Sequence, residues 1–394
     1  MPAPPRVLSL FVFIDALGWR LAEREGFMAG VLTTRKPLQT VFGYSSTCDP
    51  TILTGLPPRA HGHFAFFTYD PARSPFANSW LRWLQYLPEA LTSRARVRRL
   101  IGRAAQRLLG YTGYFNLYNV PFVHLPLFDY TEKRDLYENG GIISGAPTVF
   151  DILREQQVPV FRSDWRLGDV AALAEARAAL ATGQPRLAYL YLAGLDAILH
   201  REGTRGAGVR ERLAWYTDAI NETVRHASGV YDEVRVFAFS DHGMTDVTAL
   251  SDLQGDLTRA GLEFGTDYVA VFDSTMARFW PQSDAARARL QRHLAVRGDG
   301  RLLDDGDLRR LDCDFPDHRY GEMFYLLDPG RLLCPSFMGA RPIAGMHGYD
   351  PAHEDSTASF LSNVPVARPP VALADMFDLM LREATQDAAG EEAA

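Results

Sequence analysis

The chain has 394 residues, of which 47% are hydrophobic and 23% charged, and its net charge is -7 at neutral pH. That length exceeds what one core usually organises, so two structural units or one core with large insertions is expected. The composition excludes a disordered or fibrous chain, and the acidic balance argues against a chain-wide nucleic-acid footprint. Three cysteines, Cys48, Cys313 and Cys334, make neither a disulfide framework nor a zinc knuckle.

In chain order, the apolar run VLSLFVFI (7–14) reads as a buried strand with Asp15 at its C-terminal end. The run is too short to span a bilayer and has no cleavage site, so no signal peptide is expected and a cytoplasmic location is. Residues 44–55 (YSSTCDPTILTG) offer several hydroxyls just upstream of a short helix that Pro50 could start. Residues 72–148 are rich in aromatics and arginine. Within them Val97, Leu100, Ile101, Ala104, Ala105 and Leu108 recur at helical spacing, with Arg96, Arg98, Arg99, Arg103 and Arg107 mostly off that stripe and Trp80, Trp83 and Tyr86 upstream. This segment suits a cap helix with solvated arginines, a dimer face, or a peripheral membrane contact through residues 80–110 that accepts a lipid-linked phosphate.

Further on, DVAALAEARAALATG (169–183) reads as a helix capped by Gly183, and RLAYLYLAGL (186–195) as a strand. A helix around 209–227 carries Leu213, Thr217, Ile220 and Val224 on one face, and VRVFAFS (234–240) is a buried strand that runs into Asp241. Residues 265–340 read as strand (268–280), helix (284–295) and strand (322–329), and a helix near 371–384 with Leu373, Met376, Phe377 and Met380 closes the chain. The expected fold is α/β, a mostly parallel central sheet flanked by helices with right-handed crossovers, plus a smaller α+β cap subdomain and an aromatic, arginine-rich insertion. The expected units are a core of 1–264 and 341–385 with 72–148 as insertion or cap, the subdomain 265–340, and a disordered tail 386–394.

In such sheets ligands gather beyond the carboxyl ends of the strands, where Asp15, Asp196 and Asp241 fall. Singly these acids suit turns and caps, and Asp196 with His200, four apart, suits a surface pair on a helix. Together with His242 and His347 they make three aspartates and three histidines converging on one crevice. Mixed oxygen and nitrogen donors suit zinc, with manganese or iron possible. Six donors exceed one tetrahedral ion and are natural for two, which together stabilise the attacking and leaving oxygens of a phosphoryl displacement. Two divalent ions, zinc first and manganese second, are the expected cofactors, and a phosphate ester is the expected substrate.

The order Asp15, Ser45…Thr54-Gly55…His61-Gly62, Asp196…His200, Asp241-His242-Gly243 and His347-Gly348-Tyr349-Asp350 resembles the alkaline phosphatase superfamily. Within it, the type I phosphodiesterase/nucleotide pyrophosphatase family is the most similar branch. The resemblance implies an alkaline-phosphatase-like core with one metal held by Asp15, Asp241 and His242 and the other by Asp196, His200 and His347. The family nucleophile stands nine positions before the threonine of the Thr-Gly pair, which lands on Ser45, itself also a ligand of the first metal; Ser46 and Thr47 are the fallbacks. Attack by Ser45 on phosphorus, a covalent phosphoserine and its hydrolysis are implied.

Two departures matter. The branch usually carries threonine where this chain has Ser45, and it places an asparagine after its His-Gly-Ile segment to bind a phosphoryl oxygen. Here that stretch reads His61-Gly62-His63-Phe64-Ala65-Phe66-Phe67-Thr68-Tyr69-Asp70-Pro71. His63 or Thr68 is the expected substitute, and without one a phosphomonoesterase or phosphotransferase becomes the alternative. A metal-containing binding protein without turnover is a second. Cys48-Asp49-Pro50-Thr51 superficially resembles the sulfatase Cys-x-Pro segment, but Ile52 stands where that motif has arginine. Selectivity is expected in Asn139-Gly140-Gly141, Arg162-Ser163-Asp164-Trp165 with Arg162 on substrate, and Asp273 with Arg278.

Overall fold

Val7–Ile14 forms the strand its apolar run predicts, and it pairs in parallel on both sides, Phe11 standing opposite Phe237 on one neighbour and Tyr189 on the other. The computed structural model describes residues 6–88, 92 and 94–385, so the tail 386–394 lies outside the described residues. The central sheet has six strands in the order Thr34–Leu38, Ala358–Ser362, Glu233–Phe239, Val7–Ile14, Leu187–Leu192 and Val160–Arg162. Its pairings are parallel from Glu233–Phe239 to Val160–Arg162, and Ala358–Ser362 joins antiparallel. The chain is thus α/β with a mostly parallel sheet flanked by helices.

Side chains alternate between two faces with the pleat. Leu8, Leu10, Val12 and Ile14 face the helices Asp169–Leu180 and Ala207–Ala227. Phe11 and Phe13 face the helices Ser45–Thr54, Val149–Glu155 and Asp375–Thr385, with Phe11 stacked on Phe237 and Phe13 on Tyr191, both at 4.7 Å between centroids. Burial on both sides explains why these strands read as unbroken apolar runs.

Three local expectations are corrected. The Asp169–Leu180 helix stops three residues before Gly183, which follows the turn at φ 66°. The buried line of Ala207–Ala227 runs through Leu213, Tyr216, Ile220 and Thr223, with Thr217 and Val224 at its margin. The stretch 268–280 is not one strand but a hairpin, Tyr268–Phe272 and Met276–Pro281, turning at Asp273-Ser274-Thr275. That hairpin belongs to a second, antiparallel sheet with Met323–Leu327 and Gly300–Leu303. Arg278 is fully buried there, donating to Asp273 at 2.7 Å and to the carbonyls of Phe67 and Tyr320 at 3.0 and 2.9 Å. It ties this sheet to the strand Phe67–Tyr69, which is a structural role.

The arginine-rich helix is Ala95–Leu109, and its faces are not the expected ones. Arg98 is buried, donating to the carbonyls of Thr92, Leu117, Tyr118 and Val120, while Leu100 and Leu108 are 67% and 60% exposed. A pattern rule keeps arginine outside, but a ring of carbonyls accepts from this guanidinium and holds it in. No helix among the described residues is long and apolar enough to cross a membrane.

Candidate active site

Each acid of the site is carried where a parallel strand ends. Asp15 follows Val7–Ile14, and Asp241 with His242 follows Glu233–Phe239. Gly243 is required next, because a Cβ there would lie 2.1 Å from the carbonyl oxygen of Asp355. Beyond Leu187–Leu192 the chain enters the helix Gly194–Glu202, whose periodicity puts Asp196 and His200 on one face. Asp169 anchors the start of that helix, accepting from the Gly194 amide at 3.2 Å while held by Arg212 and the Tyr216 hydroxyl. His347 arrives from a loop whose Gly348, at φ 90°, lets the Tyr44 ring lie where a Cβ would be 2.5 Å away.

These residues form two adjacent groups. In each, Asp15, Asp241 and His242 or Asp196, His200 and His347, one potential ligand atom per residue lies within 4.8 Å of the others. His242 Nε2 is 3.1 Å from Asp241 Oδ2 and 3.7 Å from Asp15 Oδ1. His200 Nε2 is 3.2 Å from Asp196 Oδ1, and His347 Nε2 is 3.8 Å from it. The His242 and His347 rings stack at 3.7 Å, so the two groups touch. The backbone carbonyls of Gly345 and Gly243 receive Nδ1 of His200 and His242, which leaves both Nε2 atoms directed at the acids.

The chemistry of the set fits divalent cations. Asp15 Oδ1, Asp196 Oδ1, Asp241 Oδ2 and His347 Nδ1 are buried without a hydrogen-bond partner, a costly arrangement unless a cation joins them. Burial, then Asp241 and Asp196, pushes the Asp15 carboxyl well above its usual range. Burial draws the His242 imidazole down, but the Asp241 carboxylate more than offsets it and brings it up to about 9. Burial, then His242 and His200, pushes His347 well down.

Ser45 is the first residue of the helix Ser45–Thr54, with its Oγ 3.2 Å from His242 Nε2. Pro50 does not start this helix, as expected, but lies inside it; burial of Cys48, Ile52 and Leu53 offsets the one amide it removes. The fallback hydroxyls are engaged elsewhere, both directed at the Phe64 carbonyl, Ser46 at 3.4 Å and Thr47 at 2.6 Å. The Cys48 thiol is buried in the helix-sheet core with its pKa pushed up by that burial, away from any sulfatase-like role. Beside Ser45 opens a cavity of about 700 Å³, lined by Asp15, Asp196, His200 and His347 and then by Asp49, Phe66, Tyr114, Tyr118, Glu132 and Trp165.

The expected substrate contacts fare differently. His63 is buried, its Nε2 accepting from the Ile143 amide at 2.9 Å, and Thr68 lies on the strand Phe67–Tyr69; neither lines the cavity. Ala65 and Phe66 do, at the place where the family's asparagine would be expected. Arg162 lies 4.7 Å over the Tyr137 ring and is off the cavity wall, whereas its neighbours Trp165 and Arg166 are on it. Asn139-Gly140-Gly141 is a turn closed by the Gly141 amide on Glu138. The sequence reading missed Phe66, Tyr114, Tyr118 and Glu132, which come from segments without regular periodicity.

His63 has a testable structural consequence. Burial pushes its imidazole down to about 3, against roughly 6.5 in an unfolded chain. A depressed histidine contributes stability above the unfolded value and loses it as pH falls toward the folded one. Urea unfolding at pH 5 should therefore show a loss of about 2 kcal/mol from this group relative to pH 7. His63→Gln, which keeps an acceptor for the Ile143 amide, should show a smaller fall, and an unchanged fall would place the acid sensitivity elsewhere.

The type I phosphodiesterase/nucleotide pyrophosphatase family model matches residues 12–350. No curated protein matches the chain in sequence. Among solved structures, human ectonucleotide pyrophosphatase/phosphodiesterase 5 is similar at 13% identity and a TM-score of 0.67, covering 96% of this chain and 94% of that one. The murine counterpart is similar at 14% identity and 0.68, covering 96% and 95%. An inactive form of the murine protein in complex with AMP superposes at 14% identity and 0.66, covering 96% and 94%. These likenesses are of fold.

Proposed function

We propose that this chain, which belongs to the type I phosphodiesterase/nucleotide pyrophosphatase family, cleaves phosphodiesters by way of a covalent phosphoserine at Ser45, with zinc or manganese in two sites. As a member of that family it is a hydrolase of phosphoester bonds, and the family is metal-dependent. The observation that carries the finer reading is the contact of Ser45 Oγ with His242 at 3.2 Å beside two groups of unpartnered acid and histidine donors. Asp15, Asp241, His242 and Ser45 would hold one ion, and Asp196, His200 and His347 the other. Cations bound there supply charge neutralisation of the phosphate and acidify the serine hydroxyl.

The chain's own residues do the rest. Ser45 opens a ten-residue helix, so its amide and that of Ser46 lie at the positive end of the dipole with no partner inside the helix, directed to a phosphoryl oxygen. The Gly345 and Gly243 carbonyls fix the rings of His200 and His242, and Asp169 fixes the helix that carries Asp196. Preorganisation of this kind lets a charged transition state form without reorganising its surroundings. Attack by Ser45 forms the phosphoserine and expels the first alcohol; water then releases the phosphomonoester. A cavity of about 700 Å³ accepts a nucleotide-sized group, and one structural relative was captured with AMP.

The test is a pair of rates on zinc- and manganese-loaded protein. Bis(p-nitrophenyl) phosphate should be cleaved faster than p-nitrophenyl phosphate. The reverse order would mean that Phe66, where an amide is expected, makes the site a phosphomonoesterase.

A lipid-linked substrate is a second reading, favoured by one observation. Trp80, Trp83 and Tyr86 are 55%, 60% and 70% exposed, and Leu100 and Leu108 share the outer face of Ala95–Leu109 with Arg96, Arg99, Arg103 and Arg107. Anionic vesicles should bind the protein, and Trp80→Ala with Trp83→Ala should weaken that binding about tenfold. Arg99→Gln with Arg103→Gln should weaken it in a salt-dependent way. Binding indifferent to both changes would remove the reading. Arg98 is unsuited to this test because its loss removes the donor to the carbonyls of Leu117, Tyr118 and Val120 and so disturbs the fold of the insertion.

A further inference from the structure

The three histidines of the site are not held alike. His200 and His242 each have Nδ1 fixed on a backbone carbonyl, that of Gly345 and that of Gly243, whereas His347 Nδ1 has no hydrogen-bond partner. The His347 ring meets only other rings, His242 at 3.7 Å, His200 at 5.2 Å and the edge of Tyr44 at 5.7 Å. A carbonyl partner is what normally sets the direction of a ligating imidazole. Without one, the direction of His347 depends on where its backbone is held.

Thr275 holds it, from the turn between Tyr268–Phe272 and Met276–Pro281. Thr275 is fully buried and does not line the cavity. Its Oγ1 donates to the Gly348 carbonyl at 2.8 Å and lies 2.9 Å from the Tyr44 hydroxyl, while its amide donates to that hydroxyl at 3.1 Å. Each hydroxyl has one hydrogen, which fixes the direction of the chain. Thr275 directs its own at Gly348, so Tyr44 donates to Thr275 Oγ1 and accepts from the Thr275 amide. Tyr44 immediately precedes Ser45, and its carbonyl receives the amides of Thr47 at 2.7 Å and Cys48 at 3.1 Å in the first turn of the helix. One buried side chain thus joins the residue before Ser45 to the residue after His347. The turn that carries it is fixed in turn. The carbonyls of Ser274 and Thr275 accept from the amides of Leu333 and Leu327, each at 2.9 Å, and Asp273 is paired with Arg278 at 2.7 Å.

We propose that Thr275 is a positioning residue for phosphoryl transfer, setting Ser45 and His347 in register through Tyr44 and Gly348 without touching substrate. The proposal rests on the phosphodiesterase reading above, with Ser45 as nucleophile and His347 in the second donor group. It gives the antiparallel sheet a part in the reaction: its hairpin turn aligns two residues that arrive on separate loops of the chain. In-line displacement tolerates little error, and a misplacement of about 1 Å can cost about 10²-fold in rate.

The test is Thr275→Val, which keeps the shape of the side chain and removes both hydroxyl bonds. In zinc titrations against a chromophoric chelator, one of the two ions should bind about tenfold more weakly than in the wild type. With both sites filled, kcat on bis(p-nitrophenyl) phosphate should fall about 10- to 100-fold, with KM within about twofold of the wild type. Thr275→Ser, which restores the hydroxyl, should recover both. Thr223→Val removes another fully buried hydroxyl, in Ala207–Ala227, and should lower stability while leaving kcat and zinc affinity in place. Unchanged kcat with both sites filled, unchanged affinity for both ions, or a loss that Thr275→Ser does not recover would overturn the proposal. Where Thr275→Val does not fold, Tyr44→Phe removes the nucleophile arm alone; its kcat should fall with both zinc affinities kept, and an unchanged kcat would overturn the proposal. If the wild type does not cleave bis(p-nitrophenyl) phosphate, the phosphodiesterase reading is what fails. The zinc titration then decides the role of Thr275 alone, and equal affinities in wild type and Thr275→Val would overturn it.

Discussion

Ser45→Ala should leave a folded protein that has lost about 10⁴-fold or more of its turnover on bis(p-nitrophenyl) phosphate. The side chain is at the surface of the cavity and contributes a single contact, to His242, so its removal should shift stability by less than about 1 kcal/mol. Metal content should persist, since Asp15, Asp241 and His242 remain as ligands of that site. The size of the loss separates roles. A residue that only positions phosphate would cost about 10²- to 10³-fold, whereas deleting the nucleophile removes the reaction path itself. Near-normal turnover would move the nucleophile to another hydroxyl, and Ser46 and Thr47 are poor alternatives because both are directed at the Phe64 carbonyl.

Stripping metal with a chelator should abolish activity and lower the melting temperature by about 10 °C, with both restored by zinc or manganese. At a thousandfold excess over Kd, each ion stabilises the folded chain by about 4 kcal/mol. The effect should be large because the metal-free site leaves Asp15, Asp196 and Asp241 with buried oxygens that have no partner. His347→Ala should lower bound metal from about two ions per chain to about one. It should also weaken the remaining site, because the His347 ring stacks on His242 at 3.7 Å. Full activity after exhaustive chelation would remove the metal-dependent account of this site.

Much of this site was legible in the sequence because its parts follow a rule of sheet architecture. An apolar run ending in an acid marks where a parallel strand stops, and Asp15 and Asp241 stand at such ends. Asp196 and His200 were legible through helical spacing once Gly194–Glu202 was taken as a helix. The mostly parallel sheet followed from the same alternation. The cavity wall was not legible. Phe66, Tyr114, Tyr118 and Glu132 come from irregular segments brought together by long-range packing, and none carries a periodic signal.

Two misreadings have plain physical causes. Arg98 was taken as solvated because a helical stripe assigns charge to the outside, yet carbonyls at 117, 118 and 120 receive its guanidinium. The hairpin within 268–280 was hidden by apolar residues on both arms, although Asp273-Ser274-Thr275 carries turn-forming side chains at its middle. Pro50 was read as a helix start from its usual preference, but burial of the helix around it overrides that preference.

The most direct test of the central claim is to quench metal-loaded wild-type protein with acid during turnover of bis(p-nitrophenyl) phosphate and map the adduct by peptide mass spectrometry. A p-nitrophenyl phosphoryl group on Ser45, absent without metal and absent in Ser45→Ala, is the predicted result. Steady turnover with no adduct at Ser45, together with inversion on a phosphorothioate diester chiral at phosphorus, would contradict a serine nucleophile and assign the attack to water.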